Sequence, residues 1–307
     1  MTVPQWIYLK DSLKRYAQMA SIQQTLSSIT YSISVYVGFC IVIFGLFGNL
    51  INLLVFTQLK YFRKNQSVLY LMSILIVECF QLIFATTTRI VTSIFNYDPT
   101  RTSIIWCKIR IYFIQIGGLA IVWIICHAAI DQYFSTNHRN RLRMISTYKL
   151  AQYLIIFTFI LSAIYSMPAI IYNEIRSTLG CTTYNSSYNF FYSFIHLCII
   201  IGILPMIVAA SFSCLAYQNV RRIIRRQIPL IRRRLDRQLT AMVLARVALF
   251  IAVACPYFAY RVFRTNVSIL RTNSPAYEID QLVRASITTF YSLNNSVSLS
   301  ISTLVIL

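Results

Sequence analysis

The chain has 307 residues, of which 57% are hydrophobic and only 12% charged, a composition outside the range of ordinary soluble domains. A net charge of +20 in a soluble chain would point to nucleic acid, but no aromatic and basic platform or DNA-reading motif accompanies it, so no nucleic-acid partner is expected. There is no HExxH, GxSxG or phosphate loop, too few acids for an intramembrane protease pair, and no histidine at ligand spacing to a cysteine pair, so neither an enzyme, a metal site nor a cofactor is expected.

The first 30 residues hold no signal-peptide core and no small-residue cleavage site. Trp6, Ile7, Leu9 and Leu13 fall at near-helical spacing, so this segment reads either as an amphipathic helix along the outer surface or as a disordered tail. Seven apolar runs follow, near residues 32–57, 67–92, 105–133, 149–172, 189–217, 239–262 and 281–306, each long enough to cross about 30 Å of hydrocarbon. The fold class is therefore all-α, a seven-helix membrane bundle: an extracellular segment over residues 1–30, then one membrane domain over 31–307. An odd number of spans, with no long internal repeat, argues against the paired inverted halves of transporters.

Short loops rich in Lys and Arg stay in the cytoplasm. Such residues follow spans one (Lys60, Arg63, Lys64), three (Arg139, Arg141, Arg143, Lys149) and five (Arg221, Arg222, Arg225, Arg226, Arg232, Arg233, Arg234, Arg237). The alternate loops carry Asp98, Glu174, Glu278 and Asp280. The N-terminus is thus expected outside and the C-terminus inside; the loop after span five suits anionic membrane lipid and an acidic partner surface, with ordinary positive-inside bias as the alternative account of its arginines. Six of eight cysteines lie in apolar spans; the other two, Cys107 and Cys181, stand on the oxidising side and are expected to form a disulfide. The sequons at Asn185 and Asn266 lie outside and are expected to carry sugar, whereas Asn65 lies inside.

Span three begins at Cys107 and ends in "IVWIICHAAIDQYF", which places Asp131 about 36 Å along one helix from the cysteine. "GNLINLLVF" in span one contains Asn49, and "LYLMSILIVECF" in span two contains Glu78. Pro168 ends span four, Pro205 and Pro256 interrupt spans five and six, and span seven reads "SLNNSVSLSISTL". In this order the landmarks resemble the rhodopsin-like (class A) family of G-protein-coupled receptors over nearly the whole chain. The resemblance implies a multi-pass plasma-membrane receptor that passes an extracellular ligand's signal to a heterotrimeric G protein. It aligns Asp131, Gln132 and Tyr133 with the family's Asp-Arg-Tyr coupling motif, Asn295 and Ser296 with its Asn-Pro pair, and Val122, Pro205 and Phe250 with the apolar trio that couples spans three, five and six, beside the span-six kink at Pro256.

Several positions depart from the family's pattern. Gln132 replaces the arginine of the coupling motif and cannot form a charge-assisted pair. Ser213 and Leu299 replace two tyrosines, Ala254 the span-six tryptophan, Thr158 the span-four tryptophan, and Ile121 a sodium-site serine. These departures keep a second reading open, a receptor-fold protein that binds or scaffolds without coupling; a small transporter or channel is a third. Asp131 itself reads either as part of a coupling motif or as a helix-end charge among headgroups and arginines.

Glu78 at mid-membrane requires a partner or a proton, and Asn49 and Asn295 are its expected hydrogen-bond partners. It reads either as a protonation or sodium switch or as polar glue between spans one, two and seven. For the ligand, Ile114 stands where amine receptors of the family hold an aspartate, and no lysine follows Lys149, which removes amine and retinal sites. The outer half instead offers Arg89, Arg261, Arg264 and Arg284 with Gln115, His196, Tyr257, Tyr260, Thr288 and Tyr291. Such a mouth fits a peptide or an anionic small molecule, with snorkelling or pairing to Glu278 and Asp280 as the alternative role of the arginines.

Overall fold

The computed structural model describes residues 5–58, 65–95, 97–176, 180–223, 230–266 and 275–296, which form a bundle of seven long helices with one β-hairpin. Helix one is continuous from Gln5–Ser32 through a wide π turn at Ile33–Val37 into Gly38–Gln58. The N-terminal segment is therefore helical, though as an extension of span one and not as a separate surface helix. At 1.5 Å per residue, residues 5–58 would reach about 80 Å, so much of this helix stands clear of a hydrocarbon layer about 30 Å thick. Its Gln5–Ser32 part packs along helix seven. The side chains of Trp6, Ile7, Leu9 and Leu13 lie outside the described set.

Helix two comprises Gln66–Gln81, a π segment Leu82–Thr87 and Thr88–Phe95; helix three is Ile104–Ser135 and helix four Tyr148–Tyr172. Helix five runs through Ser186–Phe190, a π segment Phe191–Ile203 and Leu204–Ile223; helix six is Leu230–Asn266 and helix seven Pro275–Leu293. The starts of helices two to five carry side-chain caps, from Asn65, Ser103, Thr147 and Asn185, each accepting from a backbone N–H that the helix leaves unpaired. Pro205 lacks an N–H and crowds the preceding turn, and the widened turns of Phe191–Ile203 lie directly upstream of it. In helix four, the Tyr112 hydroxyl donates to the Ala163 carbonyl at 3.2 Å, in the turn disturbed by Pro168.

Six of these helices are long and apolar enough to cross a membrane. The expected seventh span, residues 281–306, continues past the last described residue, 296. Large apolar side chains cover the outside of the bundle, among them Phe44 (69% exposed), Tyr153 (70%) and Ile164 (63%). A surface of this kind is stable against lipid and not against water. Helix three occupies the centre, packed against helices two, four and five. Ala120, Ala128 and Ala129 on it are buried, and small residues at these positions let the neighbouring backbones approach closely.

Strands Asn173–Arg176 and Gly180–Thr183 pair antiparallel, with Ile175 opposite Cys181. Gly180 has φ +76°, a left-handed conformation that glycine adopts without a steric penalty. The hairpin is fastened to the first turn of helix three by the Cys107–Cys181 disulfide, with Cα atoms 5.8 Å apart. A cross-link across 74 residues of chain contributes on the order of 2–4 kcal/mol.

Candidate functional site

Beneath the hairpin lies a cavity of about 600 Å³. Helix three supplies Arg110, Ile111 and Gln115; helix five Tyr188, Tyr192 and Ser193; helix six Tyr257, Tyr260, Arg261 and Arg264; helix seven Arg284. Thr182 and Thr183 of the hairpin close one side. Among the described residues no carboxylate lines it. Asp280 lies nearby, with Oδ1 3.4 Å from Arg264 Nε and accepting from the Tyr260 hydroxyl at 3.0 Å, so Arg264 has a neighbouring counter-charge, and Asp98 lies close enough to favour the charge of Arg110. The Arg261 guanidinium stands 6.0 Å from the centre of the Tyr192 ring, within cation–π range. Arg110 Nε is buried with no hydrogen-bond partner among the described residues.

A smaller cavity of about 100 Å³ lies deeper, and the two share Gln115, Tyr192 and Tyr257. Its walls include Ile114, His196 and Tyr291, and it extends to Asn294 and Asn295. His196 stacks between Tyr165 and Tyr192, with ring centroids 5.5 and 4.9 Å apart, and Tyr257 stacks on Tyr291 at 4.4 Å. The structure therefore gathers Ile114, Gln115, His196, Tyr257, Tyr260, Arg261, Arg284 and Tyr291 around the two cavities. Thr288 is a correction, because it does not line them; Arg89 is not among the lining residues but lies close enough to Tyr257, Arg284 and Arg110 of the larger cavity to act on them electrostatically. Arg89 is partly buried on helix two, and the Thr288 hydroxyl is turned back onto the Arg284 carbonyl at 2.6 Å within its own helix. Arg110 was missed, although its position three residues after Cys107 places it on the same helix face one turn above Ile114.

At mid-bundle, Glu78 is fully buried, and its partner corrects the sequence reading. Neither carboxylate oxygen accepts a hydrogen bond from Asn49 or Asn295 among the described residues; Glu78 instead forms an ion pair with Arg246 of helix six. Asn49 Nδ2 donates separately to the Asn295 carbonyl at 3.0 Å. Arg246 Nη1 donates to the Asn294 carbonyl at 2.7 Å. Helix seven tightens here into i to i+3 turns over residues 291–296, and the two asparagine carbonyls take these side-chain donors.

At the end of the bundle away from the hairpin, Asp131 and Gln132 are both buried, which removes the reading of Asp131 as a charge among headgroups. Ser146 donates to Asp131 Oδ1 at 2.6 Å, and Gln66 Nε2 donates to that serine hydroxyl at 2.7 Å. The Ser67 hydroxyl donates to Gln132 Oε1 at 2.8 Å, while Gln132 Nε2 donates to the Thr240 hydroxyl at 2.7 Å. A neutral amide thus joins helices two, three and six where the family's arginine would stand. The Tyr133 ring meets Phe212 with centroids 5.6 Å apart. Above this layer, Val122 and Phe250 share a core cluster with Leu119, Leu197, Ile201, Ala254 and Phe258. Pro205 is buried, with its carbonyl 3.5 Å from Cys126 Sγ, whereas Pro256 is exposed on the lipid side of helix six and stands apart from that packing. Leu299 lies outside the described residues, as do the side chains of Asn266 and of arginines 222–237.

No curated protein sequence matches the chain. The family model described as 7 transmembrane receptor (rhodopsin family) matches residues 48–298, which takes in the end of helix one, the described parts of helices two to seven, the arginine-lined cavity and the Asp131–Gln132 network. The chain belongs to the rhodopsin family of seven-transmembrane receptors, multi-pass proteins of the plasma membrane.

Proposed function

We propose that this receptor binds an anionic group at the outer cavity, presented by a peptide or a small molecule, and transmits the event along helix six to a heterotrimeric G protein. The observation that carries this reading is the set of four arginines around a cavity that, among the described residues, has no lining carboxylate. In a partly desolvated site, clustered guanidinium groups repel one another, and a carboxylate or phosphate relieves that repulsion through charge-assisted hydrogen bonds. A cationic amine meets the opposite situation. A volume of about 600 Å³ accommodates a small anion or the acidic end of a peptide. In this reading the hairpin, residues 1–30 and the cavity face outward, and the basic loops face the cytoplasm and its anionic lipid.

Helix six connects the two ends of the site. It carries Arg261 and Tyr257 at the cavity, Phe250 in the packed middle, and Thr240 at the inner network. A second reading, binding without coupling, is favoured by one observation: Gln132 is held on both sides by neutral hydrogen bonds in place of a charged contact. One pair of measurements separates the readings. Purified receptor is melted against peptides and small molecules ending in carboxylate or phosphate, and stabilising compounds are then tested for guanine-nucleotide exchange. An anionic compound is expected to raise Tm, with Arg110→Gln and Arg261→Gln each weakening it at least about tenfold, since a hydrogen bond to a charged group contributes about 1.5–3 kcal/mol. A neutral or cationic ligand bound equally well by both variants would refute the anionic reading. Stabilisation without exchange on any G-protein class favours the non-coupling one.

A further inference from the structure

Glu78 and Arg246 are an acid and a base at the centre of the bundle, and both are buried. Their helices, two and six, are far apart in sequence, and Arg246 reaches in addition to the Asn294 carbonyl of helix seven. A carboxylate in such a place has three ways to exist: it takes up a proton, it draws a small cation from solution, or it meets a cation attached to the chain. Here the third is realised. We propose that Arg246 is a built-in counter-cation that occupies the ion-binding position of Glu78, so that the resting bundle needs no sodium ion and helix six is tied to helices two and seven.

Two features of the pair support this assignment. The guanidinium engages the Glu78 carboxylate and the Asn294 carbonyl together, so it takes both a charged and a neutral oxygen from the set that a small hard cation would use. Beside Arg246 lies a small cavity of about 10 Å³ whose other walls are Leu71, Ile74, Ile125, Ala128 and Val243, apolar side chains that offer no ligand to a hydrated ion. Removing the guanidinium leaves a buried carboxylate with room beside it, which is the condition for a sodium site. The inference is independent of which ligand the outer cavity takes and of whether the receptor couples.

The test is thermal unfolding of the purified full chain in sodium chloride and in N-methylglucamine chloride at equal ionic strength. The parent, Arg246→Leu, Glu78→Gln, and the double variant are compared. The parent should melt at the same temperature in both salts. Arg246→Leu should melt lower, and sodium should return at least about 3 °C of the loss by mass action on the emptied site. The double variant should be indifferent to sodium and should melt above Arg246→Leu, because it no longer buries an unpaired charge. Sodium stabilisation of the parent, or an Arg246→Leu protein indifferent to sodium, overturns the proposal. Should Arg246→Leu fail to reach the membrane, the double variant decides: recovery of folded protein supports the pairing, and loss equal to that of the single change overturns it.

Discussion

Gln132 has one acceptor and two donor hydrogens on its side chain, and the structure uses both kinds: Ser67 donates to its oxygen and its nitrogen donates to Thr240. An arginine at this position would keep the donors and lose the acceptor, leaving the Ser67 hydroxyl to Asp131 alone. The amide therefore suits its present neighbours, and the link to Thr240 is what ties the inner end of helix six to helix three. Thr240→Val removes that link while keeping the shape of the side chain. It should cost about 1 kcal/mol of stability and release the inner end of helix six, raising basal nucleotide exchange at matched surface expression. A Thr240→Val receptor with unchanged melting and unchanged basal exchange would show that the bond restrains nothing. Asp131, Gln132 and Glu78 were legible as sites because each is a polar residue set in or against an apolar run. Arg246 was not singled out: the sequence "TAMVLARVALF" follows directly on a string of loop arginines, and positive-inside bias absorbed it. Its depth within span six was the available signal, since an ionised group there demands a named partner.

Helix boundaries followed from apolar length, and the starts of helices two to five agree to within a few residues because Asn, Ser and Thr caps stand where the runs begin, whereas helices one, six and seven begin at Gln5, Leu230 and Pro275, ahead of their apolar runs. The wide turns at Ile33–Val37, Leu82–Thr87 and Phe191–Ile203 left no mark in the pattern, since a π turn shifts the register of a face without changing its composition. Packing between helices two and three was also hidden. Gln81 lies across Gly117 and donates to the Ile114 carbonyl at 2.9 Å, and a Cβ on Gly117 would collide with the Gln81 amide. Gly118, its neighbour, has nothing within 4 Å of where a Cβ would stand. The two glycines thus form a controlled pair. Gly117→Ala should displace Gln81, break its hydrogen bond and cost about 1–3 kcal/mol, while Gly118→Ala should be neutral or stabilise the helix by up to about 1 kcal/mol. Thermal unfolding of the two variants side by side measures this, and equal melting would mean that the contact across Gly117 is slack.

For the molecule as a whole, the unequal distribution of charge is the feature that sequence reads most directly, because translocation responds to the arginines of short loops before any tertiary contact forms. Sugar provides an independent record of which loops crossed. Three sequons bear on it: Asn185 and Asn266 on the side expected outside, and Asn65 on the side expected inside. Asn185 and Asn65 occupy equivalent local positions, each capping a helix through Oδ1, with Tyr188 N at 2.9 Å from one and Ser67 N at 2.9 Å from the other. Glycosylation attaches at Nδ2 and leaves Oδ1 free to accept, so the caps permit modification at both sites and local geometry does not discriminate between them. Any difference in occupancy then reports the side of the membrane. Expressed in a secretory host, the receptor should lose mass on treatment with an N-glycosidase. Asn185→Gln should remove one step of that shift and Asn266→Gln a further one, with Asn65→Gln changing nothing. A glycan mapped to Asn65, with Asn185 bare, would invert the bundle and place the arginine-lined cavity on the cytoplasmic side, where no extracellular ligand could reach it.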